Sequence, residues 1–290
     1  MMSRVPRIVL MTTLTTSLAL LGGCVASLEP LRTRQSVSSK AGYTVSRNMV
    51  YTPPTWPKPV LGDFYKPNGA MSAPAVLLIH GGGWTGKDGR WQMTSIAKKL
   101  VGRGYAVLNV TYRLAPRWTY PAPVDDLREA VKWLRKNAAA QGIDPDRIAA
   151  FGYSAGGYLA AMVAFEQGKN QMDIAAVVAG GAPSDLTLYP GGDLVPQFLG
   201  GTQKEIPQRF KEASPVNYIS KSSPPTFVYH SKADRLVPRG HADALIGSLK
   251  KSGVNHSVYW LEGKGHIATF LFPEEAIERS IDFLDRTLER

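Results

Sequence analysis

Residues 147–159 read Arg147-Ile-Ala-Ala-Phe-Gly-Tyr153-Ser154-Ala-Gly-Gly-Tyr-Leu159. An apolar run of strand length enters a Gly-x-Ser-x-Gly turn and leaves as a stretch rich in Ala. The reading is a buried strand over Arg147–Tyr153, a tight turn at Ser154, and a helix over Ala155–Glu166. A strand that reverses into a helix within one residue needs glycines two before and two after, because the two backbones must pass closely. It also pushes the serine oxygen outward, at a helix N-terminus whose dipole favours developing negative charge. Ser154 is therefore a candidate nucleophile.

A second glycine-rich turn lies upstream. His80-Gly81-Gly82-Gly83-Trp84 follows the apolar run Ala75–His80, another buried strand. Consecutive glycines leave backbone N–H groups free to face a ligand. The segment lacks the Gly-Lys-Ser/Thr ending of a phosphate loop. Gly82 and Gly83, with the N–H of Ala155, are the expected donors to an oxyanion.

Between and beyond these turns, strand and helix alternate. Strands are expected over Thr44–Tyr51, Leu61–Tyr65, Ala106–Tyr112, Ile174–Ala179, Thr226–His230 and Ser257–Leu261. Helices are expected near Thr94–Arg103, Val124–Ala139, His241–Lys250 and Pro273–Leu288. This alternation predicts an α/β fold with a mainly parallel central sheet and helices on both faces. Residues 184–224 carry Pro190, Pro196, Pro207, Pro215 and paired glycines, so a small irregular cap insertion with short helices is expected there.

In combination, His80-Gly-Gly-Gly-Trp84, Tyr112-Arg-Leu-Ala-Pro116 and Gly152-Tyr-Ser-Ala-Gly-Gly157 resemble the α/β-hydrolase carboxylesterases. The nearest groups are the feruloyl-esterase-like and hormone-sensitive-lipase-like ones, from about Leu61 to the C-terminus. Tyr153 and Thr111 stand where the latter group carries Asp. The resemblance implies an α/β-hydrolase fold and the chain order serine, acid, histidine. His266 is then the expected base, in a loop after the last strand. Asp234 is the expected acid, since His230-Ser-Lys-Ala-Asp234 and the following Val237-Pro238 are similar to the family's acid segment. Asp185 is the rival acid, read as a turn or cap residue. Arg113 with Asp125 or Asp126 reads as a loop brace. Trp84 and Tyr153 are candidates to line the substrate pocket. The implied activity is cleavage of short-acyl or carbohydrate-linked esters through Ser154, Asp234 and His266, without metal or cofactor. An amidase or formamidase of the same fold, or a non-catalytic envelope protein, are the alternatives.

Composition sets the frame. The chain has 290 residues, 44% hydrophobic and 20% charged, which suits a globular domain. Its net charge of +11 comes from scattered residues, so no nucleic-acid partner is expected. Arg4 and Arg7 precede an apolar stretch, Ile8–Leu21, and then Gly22-Gly23-Cys24. This reads as a signal peptide over 1–23, with the lone cysteine, Cys24, lipidated as in bacterial lipoproteins. A tether over 24–42 and a catalytic domain over 43–290 follow. The expected setting is the cell envelope, anchored to a membrane through Cys24. Val25 rather than Asp after the cysteine points to the outer membrane, by similarity to Gram-negative lipoproteins.

Overall fold

Every residue of Ala73–Ile79 is buried, and alternate side chains enter different layers. Ala75, Leu77 and Ile79 join one apolar cluster, and Val76 and Leu78 join the other. A strand covered on both faces must be apolar at every position, which is why this segment shows no polar alternation. The computed structural model describes residues 42–166, 174–189 and 191–288. The expected signal peptide, the lipidation site Cys24 and the tether up to residue 41 lie outside them.

The strands are β1 (Tyr43–Val50), β2 (Leu61–Pro67), β3 (Ala73–Ile79), β4 (Ala106–Val110), β5 (Ile143–Tyr153), β6 (Ala176–Gly180), β7 (Thr226–Ser231) and β8 (His256–Leu261). They form one sheet in the order β1-β2-β4-β3-β5-β6-β7-β8. β1 and β2 pair antiparallel, as do β2 and β4; all pairs from β4 to β8 are parallel. The helices are α1 (Thr94–Gly102), α2 (Ala122–Lys136), α3 (Ala138–Gln141), α4 (Ala155–Phe165), α5 (Leu194–Leu199), α6 (Pro207–Glu212), α7 (Gly240–Lys251), α8 (His266–Leu271) and α9 (Glu274–Thr287). One face of the sheet is covered by α2, α4 and α7, the other by α1 and α9. This is the α/β-hydrolase architecture.

Three details depart from the sequence reading. The helix expected over Val124–Ala139 breaks at Asn137 into α2 and α3, and Gly142 ends it in the left-handed conformation (φ 66°). β5 starts four residues earlier than Arg147, because Ile143 pairs with Ala73. His266, expected in a loop, is the first residue of α8. Among the described residues, 184–224 do carry only short elements: α5, α6 and two single 3₁₀ turns.

Candidate active site

Ser154 sits at the end of β5 with φ 57° and ψ −126°, a conformation that costs a non-glycine residue. Its N–H donates to the carbonyl of Gly180 on β6 (2.8 Å), and its carbonyl accepts from Tyr158 one turn into α4 (2.9 Å). The neighbouring glycines are sterically required. A Cβ on Gly152 would lie 2.2 Å from the backbone of Gly156, and one on Gly156 would lie 2.2 Å from the carbonyl oxygen of Ile79. The turn is thus wedged between two strands, with its strain held by ladder hydrogen bonds.

The imidazole of His266 bridges two groups. Nε2 lies 2.8 Å from Ser154 Oγ, and Nδ1 lies 2.6 Å from Asp234 Oδ2. Asp234 follows the end of β7 and is buried. Its Oδ1 accepts from the N–H groups of Leu236 (3.0 Å) and Val237 (2.8 Å). A carboxylate so held has one oxygen left for the imidazole, which fixes the ring with a proton on Nδ1 and a lone pair toward Ser154. Asp185, the rival acid, instead caps a 3₁₀ turn, accepting from Thr187 N (3.0 Å) and Thr187 Oγ1 (2.6 Å).

The loop 80–84 borders the same turn. Gly82 and Gly83 have φ of 106° and 62°, open to glycine at no cost. Among the described residues, their N–H groups meet no backbone carbonyl. The loop is pinned from below. His80 Nδ1 donates to the Gly81 carbonyl (2.7 Å), and the Thr111 hydroxyl faces His80 Nε2 (3.1 Å). Tyr112 stacks on the His80 ring (4.6 Å) and donates to the His80 carbonyl (3.1 Å). Burial lowers the His80 pKa, so the ring is neutral. Thr111 therefore has a task at its unusual position. Arg113 braces the next loop as expected: its N–H and Nε donate to buried Asp126 at 2.7 and 2.8 Å.

A cavity of ≈ 40 Å³ opens beside Ser154, lined by Gly83, Trp84, Ala155, Pro183, Tyr189, Leu194, Leu236 and Val237. Trp84 belongs to this wall, with its ring stacked on Phe198 (4.3 Å). The pocket expectation for Tyr153 is corrected. In β5, residues 149, 151 and 153 face the α1/α9 layer, so the Tyr153 ring packs on Tyr229 and Phe270 behind His266. Tyr189 and Leu194 were not foreseen, since an irregular segment gives no periodicity to read. Leu236 and Val237 carried a usable signal, their place two and three residues after Asp234.

Known proteins similar to this chain are numerous. The BD-FAE family profile matches residues 62–249. The chain belongs to the BD-FAE family. Over 198 residues it is 32% identical to the esterase LipQ of Mycobacterium tuberculosis (strain ATCC 25618 / H37Rv), covering 62% of this chain and 47% of LipQ. Over 110 residues it is 42% identical to the carboxylesterase NlhH of the same organism, covering 38% of this chain and 31% of NlhH. The chain spans about half the length, or less, of these curated relatives. A truncated carbohydrate esterase from gut microbiota superposes with a TM-score of 0.77 at 23% identity, over 87% of this chain and 99% of that one. Butyrate-bound esterase Est2 of Thermogutta terrifontis gives 0.70 at 24% identity, over 82% and 93%. These two likenesses establish the fold of this BD-FAE member.

Proposed function

We propose that the protein is a serine carboxylesterase acting on short-acyl esters, among them carbohydrate-linked ones. The observation that carries the reading is the unbroken relay Ser154 Oγ–His266–Asp234 at 2.8 and 2.6 Å, beside a loop with free N–H groups. Ser154 Oγ attacks the ester carbonyl carbon while its proton passes to His266 Nε2. The N–H groups of Gly82, Gly83 and Ala155 receive the oxyanion. The C–O bond to the alcohol breaks, and His266 returns the proton to the departing alkoxide. Water then repeats the sequence on the acyl-enzyme and frees the acid. Asp234 holds the imidazole in place and stabilises the imidazolium. The names of LipQ and NlhH agree with this chemistry, and the small cavity supports a short acyl group. The test is labelling of Ser154 by a fluorophosphonate together with hydrolysis of p-nitrophenyl acetate. An unlabelled, inactive protein would sink the proposal.

For the setting, the reading is an envelope lipoprotein anchored through Cys24, supported by the basic, apolar and Gly-Gly-Cys order of residues 4–24. Two or more acyl chains at about 0.8 kcal/mol per buried CH₂ would hold it firmly. Mass spectrometry of the membrane fraction should find a lipid adduct on Cys24, and none in Cys24→Ser. Wild type wholly in the soluble fraction without an adduct would refute this.

A further inference from the structure

His230 lies one residue from the end of β7 and is 1% exposed. Its Nε2 stands 2.9 Å from the carbonyl oxygen of Val237. A carbonyl only accepts, so Nε2 carries the hydrogen. The same nitrogen is 3.8 Å from Asp234 Oδ2. Val237 in turn gives its N–H to Asp234 Oδ1 at 2.8 Å. One imidazole therefore grips the carbonyl of the residue whose amide grips the acid. The ring is set edge-on against Trp260, at 6.2 Å and 71°.

We propose that His230 is a positioning residue for the reaction: its Nε2–H fixes the turn from Asp234 to Val237, and with it the carboxylate that orients His266. This rests on the serine-esterase reading. The turn has two duties, because Val237 also walls the cavity beside Ser154. A misplacement of about 1 Å at a reacting group costs about 10²-fold in rate, and Asp234 has no slack at 2.6 Å from His266. The chemistry of the neutral ring also fits. An N–H dipole 3.8 Å from the carboxylate supports its charge, whereas an imidazolium there would compete with His266 for it. Burial holds the His230 pKa below its ordinary value; the titratable groups around it are Asp234, His266, Asp243 and His241.

The experiment compares His230→Leu with His230→Gln, whose side-chain amide carries a donor at similar reach. With p-nitrophenyl acetate, His230→Leu should lower kcat by about 10²-fold with KM changed by less than about threefold, and His230→Gln should recover at least about tenfold of that loss. Melting curves report folding separately. Wild-type kcat in His230→Leu, or His230→Gln as slow as His230→Leu at equal stability, overturns the proposal. If His230→Leu fails to fold, ¹⁵N spectra of the wild-type imidazoles decide. A neutral ring protonated on Nε2 is expected for His230, and protonation on Nδ1 would remove the donor to Val237 and end the argument. An inactive wild type would instead defeat the esterase reading, and the tautomer measurement would still judge the placement of His230.

Discussion

The hydroxyl of Tyr153 donates to the backbone carbonyl oxygen of His266 across 2.7 Å. The residue before the candidate nucleophile thus holds the backbone of the candidate base. Burial, with Tyr229 and Asp234 nearby, keeps the phenol pKa far above its ordinary range, so the donor persists at any working pH. In Tyr153→Phe the His266 carbonyl keeps its place in the first turn of α8 and loses its second donor. Urea unfolding should show a loss of about 0.5–1.5 kcal/mol. Because Asp234 still holds the imidazole, kcat should fall less than in Asp234→Asn.

Members of a catalytic relay act as a unit. Ser154→Ala and His266→Ala should each remove several powers of ten in kcat with folding intact, and Asp234→Asn somewhat less. Asp185→Asn should keep kcat within a few-fold of wild type, since Asp185 serves a 3₁₀ turn through Thr187. Circular dichroism and p-nitrophenyl acetate kinetics on the four variants check this. Equal damage from Asp185→Asn and Asp234→Asn would refute the choice of acid.

Acyl length is limited by the wall. The cavity beside Ser154 is small, ≈ 40 Å³, so kcat/KM should peak between acetate and butyrate and fall toward octanoate. Leu194 stands against Gly83, within about 3 Å of where a side chain there would begin. Leu194→Ala should therefore move the peak to longer esters. Each newly buried CH₂ contributes about 0.8 kcal/mol, roughly fourfold in kcat/KM. A wild-type series that keeps rising beyond octanoate contradicts the prediction.

Gly156→Ala tests the packing of the turn. The added methyl would sit 2.2 Å from the Ile79 carbonyl oxygen and 2.7 Å from that of His80, both backbone atoms of the core. Neither can yield without opening the sheet. The expected result is a loss of about 4 kcal/mol or more, read as failure to recover soluble protein or a steep fall in Tm.

His241 sets an acid limit. It is fully buried, and neither ring nitrogen has a hydrogen-bond partner among the described residues. Burial first, then the neighbouring His230, lowers its pKa to about 4. Between pH 6.5 and 4 the unfolded chain takes up a proton that the folded chain refuses. The stability is thus complete above pH 6.5 and lost as the pH falls toward 4, by about 3 kcal/mol. His241→Leu should flatten that slope in urea titrations across pH 4–7. An unchanged slope would show that other groups govern it.

The α/β order and the strand–turn–helix at Ser154 were legible because short apolar runs, glycine spacing and helix formers act over a few residues. The loop 80–84 and its free N–H groups were legible for the same reason. Asp234 and His266 could be picked out by chain order and by the segments they resemble, whereas their meeting across 2.6 Å is a fact of the fold. What only the tertiary structure decided is which way neighbouring side chains point and who backs them. Tyr153 went to the far layer because strand alternation, set by the register of β5 between β3 and β6, leaves no choice. Tyr189 and Leu194 reached the pocket, and His230 reached Val237, through contacts between segments distant in sequence or turned back on themselves. No local periodicity encodes such contacts, since they depend on where the sheet brings the C-terminal ends of its strands together.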